Sequence, residues 1–176
     1  INYFGREHVL QERRRKDIKM LNLVVKYIDE LLTDIPDIEI YWEWPKHAEG
    51  WKLPVLSQKL PAIMAKHNRV WDGCNISGCR YGMMDKAGEK FLNKQWLIKS
   101  SNPQFITSFA NKQCPGGHPH AIIQGQETAL TAYYPPKMCR SIVRSWMPNT
   151  LKYVKLLEPN DINYNQVKTE IDGDNT

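Results

Sequence analysis

The sequence predicts an α/β domain, with a mostly parallel sheet carrying helices on both faces. Three observations lead there. Helix-like and strand-like stretches alternate along the chain, as they do when crossovers cover a sheet. A long apolar stripe at spacings of three and four opens the chain. The first strand is rich in large apolar side chains, as inner strands are. A length of 176 residues suffices for one domain with a proper core.

The stripe is Leu10, Ile18, Leu21, Val25, Ile28 and Leu32. It predicts one helix from Glu7 to Leu32, within residues 5–33, basic in its first half and stopped by Thr33, Asp34, Ile35 and Pro36. Ile38 to Trp44 reads as a strand. Ile38, Ile40, Trp42 and Trp44 share one face, and Glu39, Tyr41 and Glu43 the other. A second helix is expected from Pro54 to His67, kinked or split by Pro61. Arg69 to Asp72 reads as a short strand, Gly73 to Gly88 as a glycine-rich loop, and Gln95 to Lys99 as another strand. Pro103 to Ala110 is a short helix, and Cys114 to His120 a compact loop. Pro135-Pro136 opens a final helix, since proline suits the first helical turn. Residues 1–150 thus form the domain, and 151–176, polar and acidic, a tail or linker.

Hydrophobic residues at 41% and charged residues at 24% place the chain among ordinary soluble globular domains. It has no apolar run long enough to span a membrane. The chain starts at Ile1 and no signal peptide follows, so it reads as a piece of a longer protein that is not secreted. The net charge is +5, with Arg6, Arg13, Arg14, Arg15, Lys16 and Lys19 near the start. That cluster suits a phosphate backbone, or else is a solvated helix face. The four cysteines are too sparse for a disulfide scaffold and point to a reducing compartment, nuclear or cytoplasmic.

Four segments carry candidate chemistry. Glu43 ends an apolar strand, where ligands sit in open parallel sheets. Between Trp42 and Trp44 its carboxylate loses solvent, which suits it to give or hold a proton; the alternative is an ion pair with Lys46. Cys114-Pro-Gly-Gly-His118-Pro-His120 brings a thiol and two imidazoles together within one turn. That set can wrap a zinc ion, with Cys79 or Cys74 as fourth ligand; otherwise it is a surface turn. Gly82 with Lys94 and the following strand offers a glycine loop and a lysine to a phosphate or a base, or is simply a hairpin edge. Tyr133 and Tyr134 precede the last helix, where they stack on a flat ligand or sit in the core.

The order of these segments resembles a domain of retroelement-type polyproteins. The residues that carry it are Glu43-Trp44-Pro45, Trp51, Asp72-Gly73-Cys74, Tyr81-Gly82, Lys94-Gln95-Trp96, Cys114…His118-Pro119-His120 and Tyr134-Pro135-Pro136, over Ile38 to Val143. The same order is distantly similar to the C-terminal half of DNA cytosine-5 methyltransferases, which have a Rossmann-like fold. That similarity implies that Glu43 contacts a flipped cytosine and that Tyr134 and Pro135 close an S-adenosylmethionine pocket. The glycine-rich cofactor motif and the Pro-Cys nucleophile of those enzymes are absent. An upstream segment or a second chain would have to supply them.

Two functions follow as expectations. One is the C-terminal part of a methyltransferase-like, nucleic-acid-modifying domain with Glu43 at the base. The other is a non-catalytic, zinc-stabilised nucleic-acid-binding module of a mobile-element polyprotein. In it Arg13, Arg14, Arg15, Lys16 and Lys94 meet nucleic acid, and Cys79, Cys114, His118 and His120 hold zinc.

Overall fold

The computed structural model describes residues 5–125, 128–129 and 131–146. The elements are α1 (Glu7–Asp34), β1 (Tyr41–Pro45), α2 (Leu60–Lys66), β2 (Asp72–Ser77), β3 (Gln95–Ser100), α3 (Pro103–Phe109) and α4 (Pro136–Trp146). The three strands form one sheet in the order β1-β3-β2.

Both pairings in this sheet are antiparallel. The mostly parallel, Rossmann-like sheet expected from helix–strand alternation is therefore not what forms. The reason lies in β3. Strands β1 and β2 do run in the same direction with α2 between them, as a crossover requires. The chain then returns from β2 without a helix, through a 3₁₀ turn at Gly78–Tyr81 and an irregular loop. That return reverses direction, and β3 slots between the other two strands. Parallel neighbours are usually joined through a helix, and a return without one suits an antiparallel neighbour.

Helices on both faces are found as expected. Register puts Trp42 opposite Lys99, and Glu43 opposite Ile98, which in turn lies opposite Cys74. Alternation then assigns each face its own core. On one face Ile76, Trp96, Ile98, Phe105, Phe109 and Met138 pack together, drawn from β2, β3, α3 and α4. On the other, Val25, Ile28 and Leu32 of α1 meet Leu60, Ile63 and Met64 of α2, with Trp42 and Trp44 against them. The first strand thus contributes to both cores, because Tyr41 stacks edge-on against Phe105 at 4.9 Å.

Local chemistry explains the element ends. Pro61 stands in the first turn of α2. A turn of π-helix at Val55–Lys59 precedes it, closed by the Leu60 N–H on the Val55 carbonyl. The expected split at Pro61 takes that form, because proline has no N–H to give and crowds the preceding turn. The strand expected at Arg69–Asp72 lies later, at Asp72–Ser77, and absorbs the start of the glycine-rich stretch. Asn102 caps α3, its side chain accepting the Phe105 N–H at 2.9 Å, and Pro103 follows in the first turn, the residue types that position prefers. Among the described residues no helix is long and apolar enough to cross a membrane. The tail expected at 151–176 lies outside the described residues.

Candidate metal centre

The turn after β2 is built around two glycines. Gly78 sits where a Cβ would come within 2.8 Å of Met83 Sδ and 3.3 Å of the Leu92 carbonyl. Gly82 closes the turn at a φ of +80°, which glycine adopts without strain. Backbone bonds lock the surroundings: Met83 N to Gly78 O at 3.0 Å, Leu92 N to Met83 O at 2.9 Å and Gly78 N to Lys94 O at 2.7 Å. Cys79 is held buried inside this knot, its Sγ facing Asn93 Oδ1 at 3.8 Å.

Cys114 approaches from the segment after α3. Gly116 and Gly117 have φ of +76° and +75°, so the chain turns back on itself within two residues. The Gly116 N–H points at Cys114 Sγ at 3.3 Å. The turn returns His118 and His120 to the thiol: their Nε2 atoms stand 3.6 and 3.5 Å from Cys114 Sγ. Phe91 steadies both imidazoles. Its ring packs on His118 at 4.6 Å, its backbone bridges to His120, and its carbonyl accepts the Ala121 N–H at 2.8 Å.

The donor atoms of Cys79, Cys114, His118 and His120 all lie within 4.8 Å of one another. A tetrahedral zinc ion, with bonds of about 2.3 Å to sulfur and about 2.0–2.1 Å to nitrogen, sets its ligands about 3.4–3.8 Å apart. The two thiol–imidazole distances fall in that range, and two thiols with two imidazoles are a donor set zinc favours. The residues present fit the ion. The thiol of Cys79 is pushed up to about 11, first by burial and then by the neighbouring Cys114, so an ion must displace its proton. Cys74, the other candidate for the fourth ligand, is in the core packed with Ile98 and away from this set. Burial pushes its thiol up to about 11 as well, which suits an inert core cysteine.

Lys94 belongs to this end of the molecule, since its carbonyl receives the Gly78 N–H. Lys112 does too, through its carbonyl and the Ser77 N–H at 3.1 Å, and Arg80 is exposed directly after Cys79. Residues 78–121 carry six Lys/Arg and two Asp/Glu, a larger share of the net charge than the first helix holds. Reading the opening basic cluster alone misses this concentration; a running charge count would have found it. Arg13, Arg14, Arg15 and Lys16 are exposed on α1, apart from the elements that build the cluster. Lys16 pairs with Glu12 at 2.9 Å, and Arg14 lines a groove of about 730 Å³ with Trp44 and Leu53.

Glu43 lies on the sheet face covered by α3 and α4. One carboxylate oxygen accepts a hydrogen bond from the Tyr134 hydroxyl; the other is buried without a partner. Its neighbour is therefore Tyr134 rather than Lys46. The Tyr134 ring packs on Trp96 at 5.4 Å, and its hydroxyl is held above the ordinary tyrosine range by burial and by the Glu43 carboxylate. Pro135 is buried beside it, while Tyr133 is exposed. Three segments that the sequence offered separately thus meet at one place, although nothing in their spacing joins Glu43 to Tyr134.

No family model matches this chain, and neither a curated protein nor a solved structure matches it.

Proposed function

We propose that this chain is a nucleic-acid-binding module whose basic end is organised by a zinc ion on Cys79, Cys114, His118 and His120. The four-donor cluster carries the reading. With four protein ligands the ion has no open position, so its contribution is structural, tying the Gly78–Tyr81 turn to the Cys114–His120 loop. Arg80, Lys94 and Lys112, on the segments next to that tie, would supply the phosphate contacts. Thiol ligands fit a reducing compartment, nuclear or cytoplasmic. This agrees with the resemblance to a domain of retroelement-type polyproteins.

The test has two readouts. Elemental analysis of the purified chain should give about one zinc per chain, lost in Cys114→Ser. Anisotropy with a labelled DNA duplex, from about 50 to about 300 mM salt, should show affinity falling steeply; Lys94→Ala should reduce the salt slope by about one. A metal-free wild-type chain overturns the zinc site. Absent or salt-insensitive binding overturns the partner.

The contact between Glu43 and Tyr134 favours a second reading, the C-terminal part of a methyltransferase-like domain. In it Glu43 would meet the extruded base, and Tyr134 with Pro135 would border the S-adenosylmethionine pocket. Methyl transfer to cytosine in a DNA duplex, assayed on the protein together with the segment that supplies the missing motifs, tests it: turnover lost in Glu43→Gln supports the reading, and turnover kept in that variant counts against it.

A further inference from the structure

Helix α1 carries two apolar stripes, and the rest of the fold covers only one. Val25, Ile28 and Leu32 are buried. Met20 is 62% exposed, Leu23 62%, Val24 38% and Tyr27 59%. These four follow the i, i+3, i+4, i+7 spacing of a continuous helical seam, and Leu31 extends it by one turn. The polar contacts of α1 with the π-turn and α2 region are made elsewhere on its circumference, by Asn22 to Lys59 and by Asp29 to Lys66 and His67. The exposed seam is therefore open in this fold, and large exposed side chains in a row mark an interaction surface.

The charges along the helix choose its occupant. Residues 13–19 hold Arg13, Arg14, Arg15, Lys16 and Lys19 against a single Asp17. Residues 29–37 hold Asp29, Glu30, Asp34 and Asp37 with no Lys or Arg. A surface basic at one end and acidic at the other is complementary to itself when reversed. We propose that α1 pairs with the α1 of a second copy of this chain, antiparallel, about a twofold axis passing between Leu23 and Val24. In that register Leu23 opposes Val24, Met20 opposes Tyr27, and Arg13 opposes Asp34. Lys16 opposes Leu31 with Glu30 beside it on the same flank. A parallel pair would set the arginine-rich ends against each other; the antiparallel one also aligns the helix dipoles favourably. The present partners of Lys16 and Glu30 are exposed same-helix pairs with Glu12 and Lys26, which are weak enough to exchange. A closed twofold interface of this kind is the commonest symmetry among homo-oligomers.

Sedimentation equilibrium of the full chain tests the pairing. The wild type should sediment as a dimer that weakens with salt. Leu23→Glu with Tyr27→Glu should give a monomer with unchanged helix content, because both positions are exposed. Lys16→Glu alone and Glu30→Lys alone should each weaken the dimer several-fold, and the two combined in one chain should restore it. Carbodiimide cross-linking of a mixture of ¹⁵N-labelled and unlabelled chains should join Lys16 of one copy to Glu30 of the other. A monomeric wild type, or a dimer that survives the Leu23 and Tyr27 changes, overturns the proposal. So does a charge-swap pair that fails to restore association, since that would mean another orientation or another occupant of the seam.

Discussion

The two ends of this molecule are ordered by different means. The half of α1 from Leu21 onward is a regular helix whose place is set by apolar burial: Val25 is fully buried, and Leu32 is 1% exposed. The segment from Gly78 to Ala121 outside β3 and α3 has almost no regular structure. It is held by backbone bonds between irregular strands, by glycines at positive φ, and by four donor atoms facing one point. Periodic burial fixes a helix against a sheet in one step. The irregular end anchors Tyr81, Met83 and Leu92 in the core, and an ion on the four donor atoms would cross-link it further.

Removing the cross-link should give the largest effect. Cys114→Ser should abolish zinc binding and free the loop from the Gly78 turn. Structural zinc sites in small folds are worth about 10 kcal/mol or more, so the local loss should exceed that of any single core truncation. Hydrogen exchange should accelerate across residues 78–94 and 110–121 while the amides around Val25 and Ile28 keep their protection. Uniform acceleration over both ends would mean that the two regions are one cooperative unit.

That contrast also governs what the sequence made legible. The apolar stripe of α1 predicted a helix that ends within two residues of the observed one, because a 3.6-residue period repeated over many turns leaves little ambiguity. The final helix was legible from its prolines, and α3 from the stretch that Pro103 opens. The sheet was not. Strand direction depends on the connection, and the return from β2 to β3 was read only as loop, so an inserted antiparallel strand had no signal. At the metal centre the Cys-His spacing named Cys114, His118 and His120, with Cys79 as fourth ligand and Cys74 as its alternative. They are separated by where the chain turns: Cys74 lies within β2 and faces a core, and Cys79 lies on the 3₁₀ turn just beyond it. Phe91 and Asn93, which border the cluster, have no such signature, since their positions follow from the fold of the intervening loop.

Truncations on α1 should separate its two stripes next. Leu32→Ala removes a buried side chain from the core shared with α2 and should cost about 2–5 kcal/mol. Leu23→Ala removes an exposed one and should change monomer stability by less than about 0.5 kcal/mol. Urea unfolding at low protein concentration gives both numbers. Equal losses would place the seam of Leu23 against this same chain and remove the distinction between the stripes.

The smallest effect concerns the polar tie between α1 and α2. Asp29 meets Lys66 Nζ at 2.8 Å and His67 Nε2 at 2.6 Å. These partners, Lys66 first, hold its carboxyl below the ordinary aspartate range. A carboxyl depressed in the folded state binds protons less readily there than in the unfolded chain. It therefore adds stability at pH values above its unfolded pKa, about 3.9, and loses that stability as the pH falls through its folded value. The partners are partly exposed, so solvent screening limits the contribution to about 0.5 kcal/mol. Asp29→Asn should accordingly be less stable than the wild type at neutral pH, with the gap closing as the solution is acidified below the ordinary carboxylate range. A gap that stays constant with pH would mean that the side chain acts by packing, and that burial rather than charge fixes α1 against α2 along its whole length.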